Sequence, residues 1–154
     1  MLKGNNQGEN MAHAEQEIVI NKPVAAVYGF LADGLNNTKW RPGVVSIELK
    51  AGTPGQVGAE YKQLLKGPGG RNIDGDYKLT AVETDKHLAF AVTAGPARPT
   101  GDYFFEQVSG GSKVRFVLDF QPKGFAKLMG PMIQKTMDGE VAQLAQLKAV
   151  LEAS

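Results

Sequence analysis

The side chains whose types and spacing could do chemistry in this chain are few, and half of them are tyrosines. Tyr61, Tyr77 and Tyr103, with Gln63, Asp76 and Arg98, are the polar groups placed to orient a bound molecule. Of these, Tyr77, Tyr103, Arg98 or Asp76 could assist the enolisation of a ketone, because phenols and carboxyls can pass a proton to or from a carbon acid. Asp74 and Asp76 flank Gly75. A carboxylate buried there among aromatics would titrate high and serve as an acid or base, whereas the ordinary reading has both facing water. Arg98 lies in Gly95-Pro96-Ala97-Arg98-Pro99, a Pro-rich loop that could form a lid or mouth; its ordinary reading is a solvated cation.

Other chemistries find no support. The chain has no cysteine, and its two histidines, His13 and His87, show no ligand spacing, so no metal and no cofactor is expected. No serine sits in a nucleophile elbow. The run Gly67-Pro68-Gly69-Gly70-Arg71 lacks the lysine of a phosphate-binding loop and precedes a strand, so it reads as a hairpin turn. Seventeen Lys and Arg stand against sixteen Asp and Glu, scattered without runs, which argues against a nucleic-acid partner or a polybasic membrane anchor. No apolar stretch is long enough to span a membrane, and the start lacks a signal-peptide core, so a cytoplasmic location is expected.

These side chains need a scaffold, and 154 residues make one domain with a substantial core. Residues 1–14 are polar and Gly/Asn-rich and read as a flexible leader, with His13 solvated; residues 15–154 form the domain. Glu15–Ile20 is a first strand. Asn21 is the expected N-cap of a short helix carrying Pro23 in its first turn, and Leu35–Trp40 is a second short helix stopped by Arg41-Pro42-Gly43. Six alternating stretches follow: 44–49, 58–65, 72–83, 87–94, 100–108 and 113–120. In 72–83 Tyr77 and Leu79 are in phase and Val82 is not, which predicts a bulge. Short Gly/Pro turns between these stretches require antiparallel neighbours.

From Gly124 to Ala153 the period changes. Phe125, Leu128, Met129, Met132, Ile133, Met137, Val141, Leu144, Leu147 and Leu151 recur at steps of three and four, which predicts a helix of roughly 40 Å. Gly130-Pro131 starts its regular part or kinks it, and Gly139 reads as close packing on a strand or as room for a ligand. Such a stripe must lie in a sheet. The class is therefore α+β: a curved antiparallel sheet of seven strands around a long C-terminal helix, with two short helices between strands one and two. The inward faces would place Tyr61, Phe90, Tyr103, Phe105, Phe116 and Leu118 on the sheet side. Met129, Met132, Ile133 and Met137 would face them from the helix. With Tyr77 and Arg98 as polar neighbours, these residues would line a cavity suited to flat or lipid-like molecules, or else fill a plain core.

The order of these segments resembles the START-like, or SRPBCC, superfamily, and within it the polyketide cyclase/dehydrase and lipid-transport family. The carriers are EIVINKPVAAVYGFLAD, LNNTKWRPGVVSIEL, VGAEYKQ, YKLTAVETDKHLAF, DYFFEQVSGGSKVRFVLDF and LAQLKAVLE, together spanning nearly all of residues 15–152. Many relatives have a Pro-Pro pair after ETD where this chain has Lys86-His87, which should alter only a turn. The resemblance implies a helix-grip fold with a hydrophobic pocket between sheet and C-terminal helix, and no single activity. Three functions stay open: binding of a small hydrophobic ligand such as a lipid or polycyclic aromatic, a polyketide cyclase/dehydratase-type enzyme, and a regulatory protein-interaction module. The expected partner is a small hydrophobic molecule, and the chain is a monomer or homodimer.

Overall fold

A computed structural model describes residues 11–121 and 130–154. In chain order it contains β1 (Ala12–Ile20), α1 (Val24–Ala32), a 3-10 turn (Gly34–Asn36), α2 (Asn37–Trp40), β2 (Val44–Ala51), β3 (Glu60–Lys66), a second 3-10 turn (Pro68–Gly70), β4 (Asn72–Asp74), β5 (Tyr77–Glu83), β6 (His87–Val92), β7 (Thr100–Val108), β8 (Gly111–Phe120), α3 (Gly130–Val141) and α4 (Leu144–Glu152). The strands form one antiparallel sheet in the order β1-β8-β7-β6-β5-β3-β2, with β4 pairing β3. This is the α+β helix-grip arrangement that the alternating strands and terminal helical stripe predict. No helix among the described residues is long and apolar enough to cross a membrane.

Four of the departures from the sequence reading have a clear local reason. Strand β1 begins at Ala12, inside the expected leader, because Ala12 and Ala14 alternate into the core opposite Phe120 and Leu118. Two small apolar residues in a polar stretch give too weak a pattern to read. Helix α1 starts one residue after Pro23, which stands at the N-cap, so Asn21 does not cap it. The Asn21 amide donates to Glu152 Oε2 at 2.7 Å, and the Val24 amide at the helix start donates to Gln107 Oε1 at 3.0 Å.

The expected strand 72–83 is two strands, which raises the count from seven to eight. Gly75 interrupts it by bonding to Gln63, its amide donating to the Gln63 carbonyl at 2.8 Å and its carbonyl accepting from Gln63 Nε2 at 3.2 Å. The bulge expected before Val82 is present as a register shift between Leu79 and Ala81 in the pairing with β6. Finally, the C-terminal helical stretch is not one rod. It breaks at Ala142–Gln143, where the amides of Gln143, Ala145 and Gln146 bond three residues back instead of four. Phe125, Leu128 and Met129 lie outside the described residues.

The break divides the helix into two parts with different surroundings. Helix α4 is anchored, with Leu144 and Leu147 fully buried and Leu151 nearly so. Helix α3 buries only Met137 and Val141 and spans the concave side of the sheet. Its outer turn is tied to β1 through Gln134, which accepts from the His13 amide at 3.1 Å and donates to the His13 carbonyl at 2.6 Å.

His13 is therefore a paired residue and not a solvated leader residue. Its Nδ1 lies 2.5 Å from Asp119 Oδ1 and its Nε2 3.3 Å from Glu15 Oε1. The hydrogen bond to Asp119 outweighs partial desolvation and raises the imidazole pKa above its ordinary 6.5. A raised pKa contributes stability that is complete below the unfolded value and disappears as pH rises through the folded one. The thermal midpoint of wild type should thus exceed that of His13→Asn most near pH 5.5, roughly one unit below the ordinary histidine value. The gap should narrow steadily toward pH 9, roughly two and a half units above that value, and a gap independent of pH would refute the pairing.

Candidate functional site

Between the concave face of the sheet and α3 lies a cavity of about 490 Å³. Its sheet wall is apolar: Leu79 from β5, Leu88 and Phe90 from β6, and Leu118 and Phe120 from β8. Helix α3 closes the opposite side with Met132, Ile133, Thr136, Met137 and Glu140, which share one face by their spacing of one, three and four. Leu65, Ile73, Pro96, Ala97 and Pro99 also line it, from β3, β4 and the loop between β6 and β7. Gly95 holds that loop down. With φ of 101° it occupies a backbone conformation that disfavours side chains, and a Cβ there would overlap the Asp74 carbonyl oxygen.

The polar lining includes two connected groups. In the first, Asn37 of α2 donates through Nδ2 to Gln63 Oε1 at 3.0 Å and to the Tyr77 hydroxyl at 3.1 Å, while Gln63 is held by Gly75. In the second, Arg41 follows α2 and is 8% exposed. Its Nη2 pairs with Glu140 of α3, and its Nε donates to Gln143 Oε1 at 3.2 Å, so one guanidinium grips both sides of the helix break. Burial works against its charge, but Glu140 together with Tyr103 and Tyr77 more than offsets this, and the guanidinium pKa is raised.

Burial pushes the Tyr103 hydroxyl well above the ordinary phenol range, with Arg41 pulling it back and Glu140 adding to the rise. Tyr77 is raised in the same direction, first by burial and then by its tyrosine neighbours. Both phenols therefore stay protonated at neutral pH and can each offer an O–H to a ligand without serving as a base. Among the described residues, no three His, Asp or Glu side chains gather to hold a metal.

The family described as polyketide cyclase/dehydrase and lipid transport matches residues 11–152. This chain belongs to that family. No curated protein matches it. Among solved structures, the di-domain ARO/CYC StfQ from the steffimycin biosynthetic pathway aligns with a TM-score of 0.81 at 13% identity, over 98% of this chain and 54% of that one. A START superfamily protein from Mycobacterium smegmatis aligns with a TM-score of 0.76 at 11% identity, over 92% and 99%. The Zhui aromatase/cyclase from Streptomyces sp. R1128 aligns with a TM-score of 0.71 at 12% identity, over 91% and 90%. The chain thus spans about half the length of the di-domain structure, and at these identities the likeness is one of fold.

Within this cyclase/dehydrase-family fold, Tyr77, Phe90, Tyr103, Leu118, Met132, Ile133 and Met137 line the cavity. Tyr61 and Phe116 do not; each is fully buried one layer behind it. Tyr61 stacks on Tyr77 with centroids 5.0 Å apart, and its hydroxyl accepts from the Gly34 amide at 3.3 Å. Phe116 stacks on Tyr103 at 4.4 Å. Phe105 packs edge-on against Tyr28 of α1 instead. Arg98 is exposed and donates to the Gly95 carbonyl at 3.3 Å, so its loop borders the cavity while its charge does not enter. Asp76 is turned away and accepts from the Gln63 amide at 3.1 Å. Met129 lies outside the described residues.

Asn37, Arg41 and Glu140 belong to the cavity and were not identified from sequence. A signal did exist for Glu140. It continues the series Met132, Thr136, Glu140 at steps of four, which places polar groups on the helix face that looks into the sheet. Arg41 carried no such mark, since a cation before Pro-Gly reads as a helix stop.

Proposed function

We propose that this chain binds a small, largely hydrophobic molecule in the cavity between the sheet and α3. The observation carrying this reading is a volume of about 490 Å³ left unfilled in a core whose other large side chains are closely packed. Affinity would come from apolar burial, about 25 cal/mol per Å² before the costs of ordering. Arg41, Tyr77 and Tyr103 would orient the polar end of the ligand. The family description, which names lipid transport beside cyclisation, is consistent with this reading.

A second reading, a cyclase or dehydratase acting on a keto chain, is favoured by one arrangement. Arg41, Glu140 and Tyr103 collect ionisable groups at one place on the cavity, a guanidinium, a carboxylate and a protonated phenol. The aromatase/cyclases among the structural relatives give this reading a precedent of fold. The protein-interaction reading calls for a filled cavity and is not favoured.

Native mass spectrometry of the purified protein, followed by solvent extraction, tests the first reading: a lipophilic molecule of stoichiometric amount is expected. Protein that emerges empty and takes up no hydrophobic dye would sink it. Tyr103→Phe separates the two readings. For a binding protein it should weaken a carbonyl-bearing ligand by about tenfold, the value of one buried hydrogen bond. For an enzyme it should lower turnover while leaving substrate affinity nearly unchanged.

A further inference from the structure

We propose that the cavity selects an uncharged ligand carrying a carbonyl or phenol oxygen and discriminates against carboxylates, because the one cation among its described lining residues is already paired with Glu140. The inference rests on the binding reading above and names the ligand class it implies. Three charged side chains line the cavity among the described residues: Arg41, Glu140 and Asp74. Among these residues one cation faces two anions, so the described lining holds no spare positive charge. The Arg41–Glu140 pair is close, and the Arg41 side chain is 9% exposed.

A carboxylate entering this space would be a second anion competing for a guanidinium that Glu140 already holds, in a setting where an unmatched charge is expensive. A ketone or phenol needs only hydrogen bonds, and these are on offer. Arg41 uses Nε and one terminal nitrogen within the described residues, leaving further N–H groups of its five. Tyr103 lines the same cavity as a protonated phenol, with no hydrogen-bond partner among the described residues. Fatty acids are therefore poor ligands despite the apolar walls, while neutral lipids and aromatic ketones are good ones.

The test compares two probes of nearly the same shape, 2-acetylnaphthalene and 2-naphthoate, by calorimetry at neutral pH. Wild type should bind the ketone at least about tenfold more tightly than the carboxylate. Glu140→Gln keeps the side chain's shape and frees the charge of Arg41, so naphthoate binding should strengthen about tenfold or more relative to the ketone. The double variant R41Q/E140Q should lose that gain. Wild type preferring naphthoate, or binding the two alike, overturns the selectivity while leaving the cavity reading intact. Glu140→Gln that folds and gives no gain overturns it as well. Failure of both probes to bind wild type overturns the cavity reading and this inference with it. The wild-type comparison needs no variant, so a misfolded Glu140→Gln protein does not protect the proposal.

Discussion

Arg41→Ala should lower the free energy of unfolding by about 3 kcal/mol, and the double variant R41M/E140M should recover most of that loss. The argument is one of what is left behind. Arg41 is buried, and the Glu140 side chain is 20% exposed, so removing the guanidinium strands a carboxylate with little water to solvate it. Gln143 also loses its donor at the helix break. Glu140 retains some exposure, which places the cost toward the lower end of the range for broken buried pairs. Replacing both members with apolar side chains removes the stranded charge and returns packing, so the double variant should lie within about 1 kcal/mol of wild type. Urea unfolding of the three proteins measures this. A loss below about 1 kcal/mol for Arg41→Ala would mean that the pair is solvated like a surface salt bridge, and the buried character of the pair would have to be abandoned.

The contrast between Arg41 and the β-strands shows what sequence could and could not reveal. Strand β8 was legible because Val114, Phe116 and Leu118 alternate with Lys113, Arg115 and Asp119, a two-residue period that depends only on neighbours. The same period marked Tyr103 and Phe105 as one face of β7, which is correct. It could not tell that one reaches the cavity while the other meets Tyr28, since that depends on where helices cross a curved sheet. Likewise Tyr61 and Tyr77 are both inward residues, and stacking puts Tyr61 behind Tyr77. The Arg41–Glu140 pair joins residues 99 positions apart, and each alone is an ordinary charged residue at a helix end or face. Period reports local burial; a charge pair of this kind exists only after folding.

Gly101→Ala should weaken binding of a neutral aromatic ligand by at least about tenfold while costing the fold only about 2 kcal/mol. Gly101 in β7 lies opposite Phe90 on one side and Leu118 on the other, and both of those line the cavity. The absent side chain is what lets the Phe90 ring lie across the strand: a Cβ at residue 101 would overlap three atoms of that ring. The ring must then move. Tyr77, Tyr103 and Phe116 surround it, with centroids 5.5, 6.0 and 6.5 Å away, and the open direction is into the cavity. Because the colliding atoms are the far end of a side chain and not backbone, rotation relieves the clash and the stability cost stays moderate. The cavity takes the displaced ring and loses the space a ligand would use. Calorimetry with 2-acetylnaphthalene, paired with urea unfolding, reads both effects. Unchanged affinity in a folded Gly101→Ala protein would mean that the ligand does not lie against Phe90, and the bound position would have to be sought nearer Met132 and the Pro-rich loop.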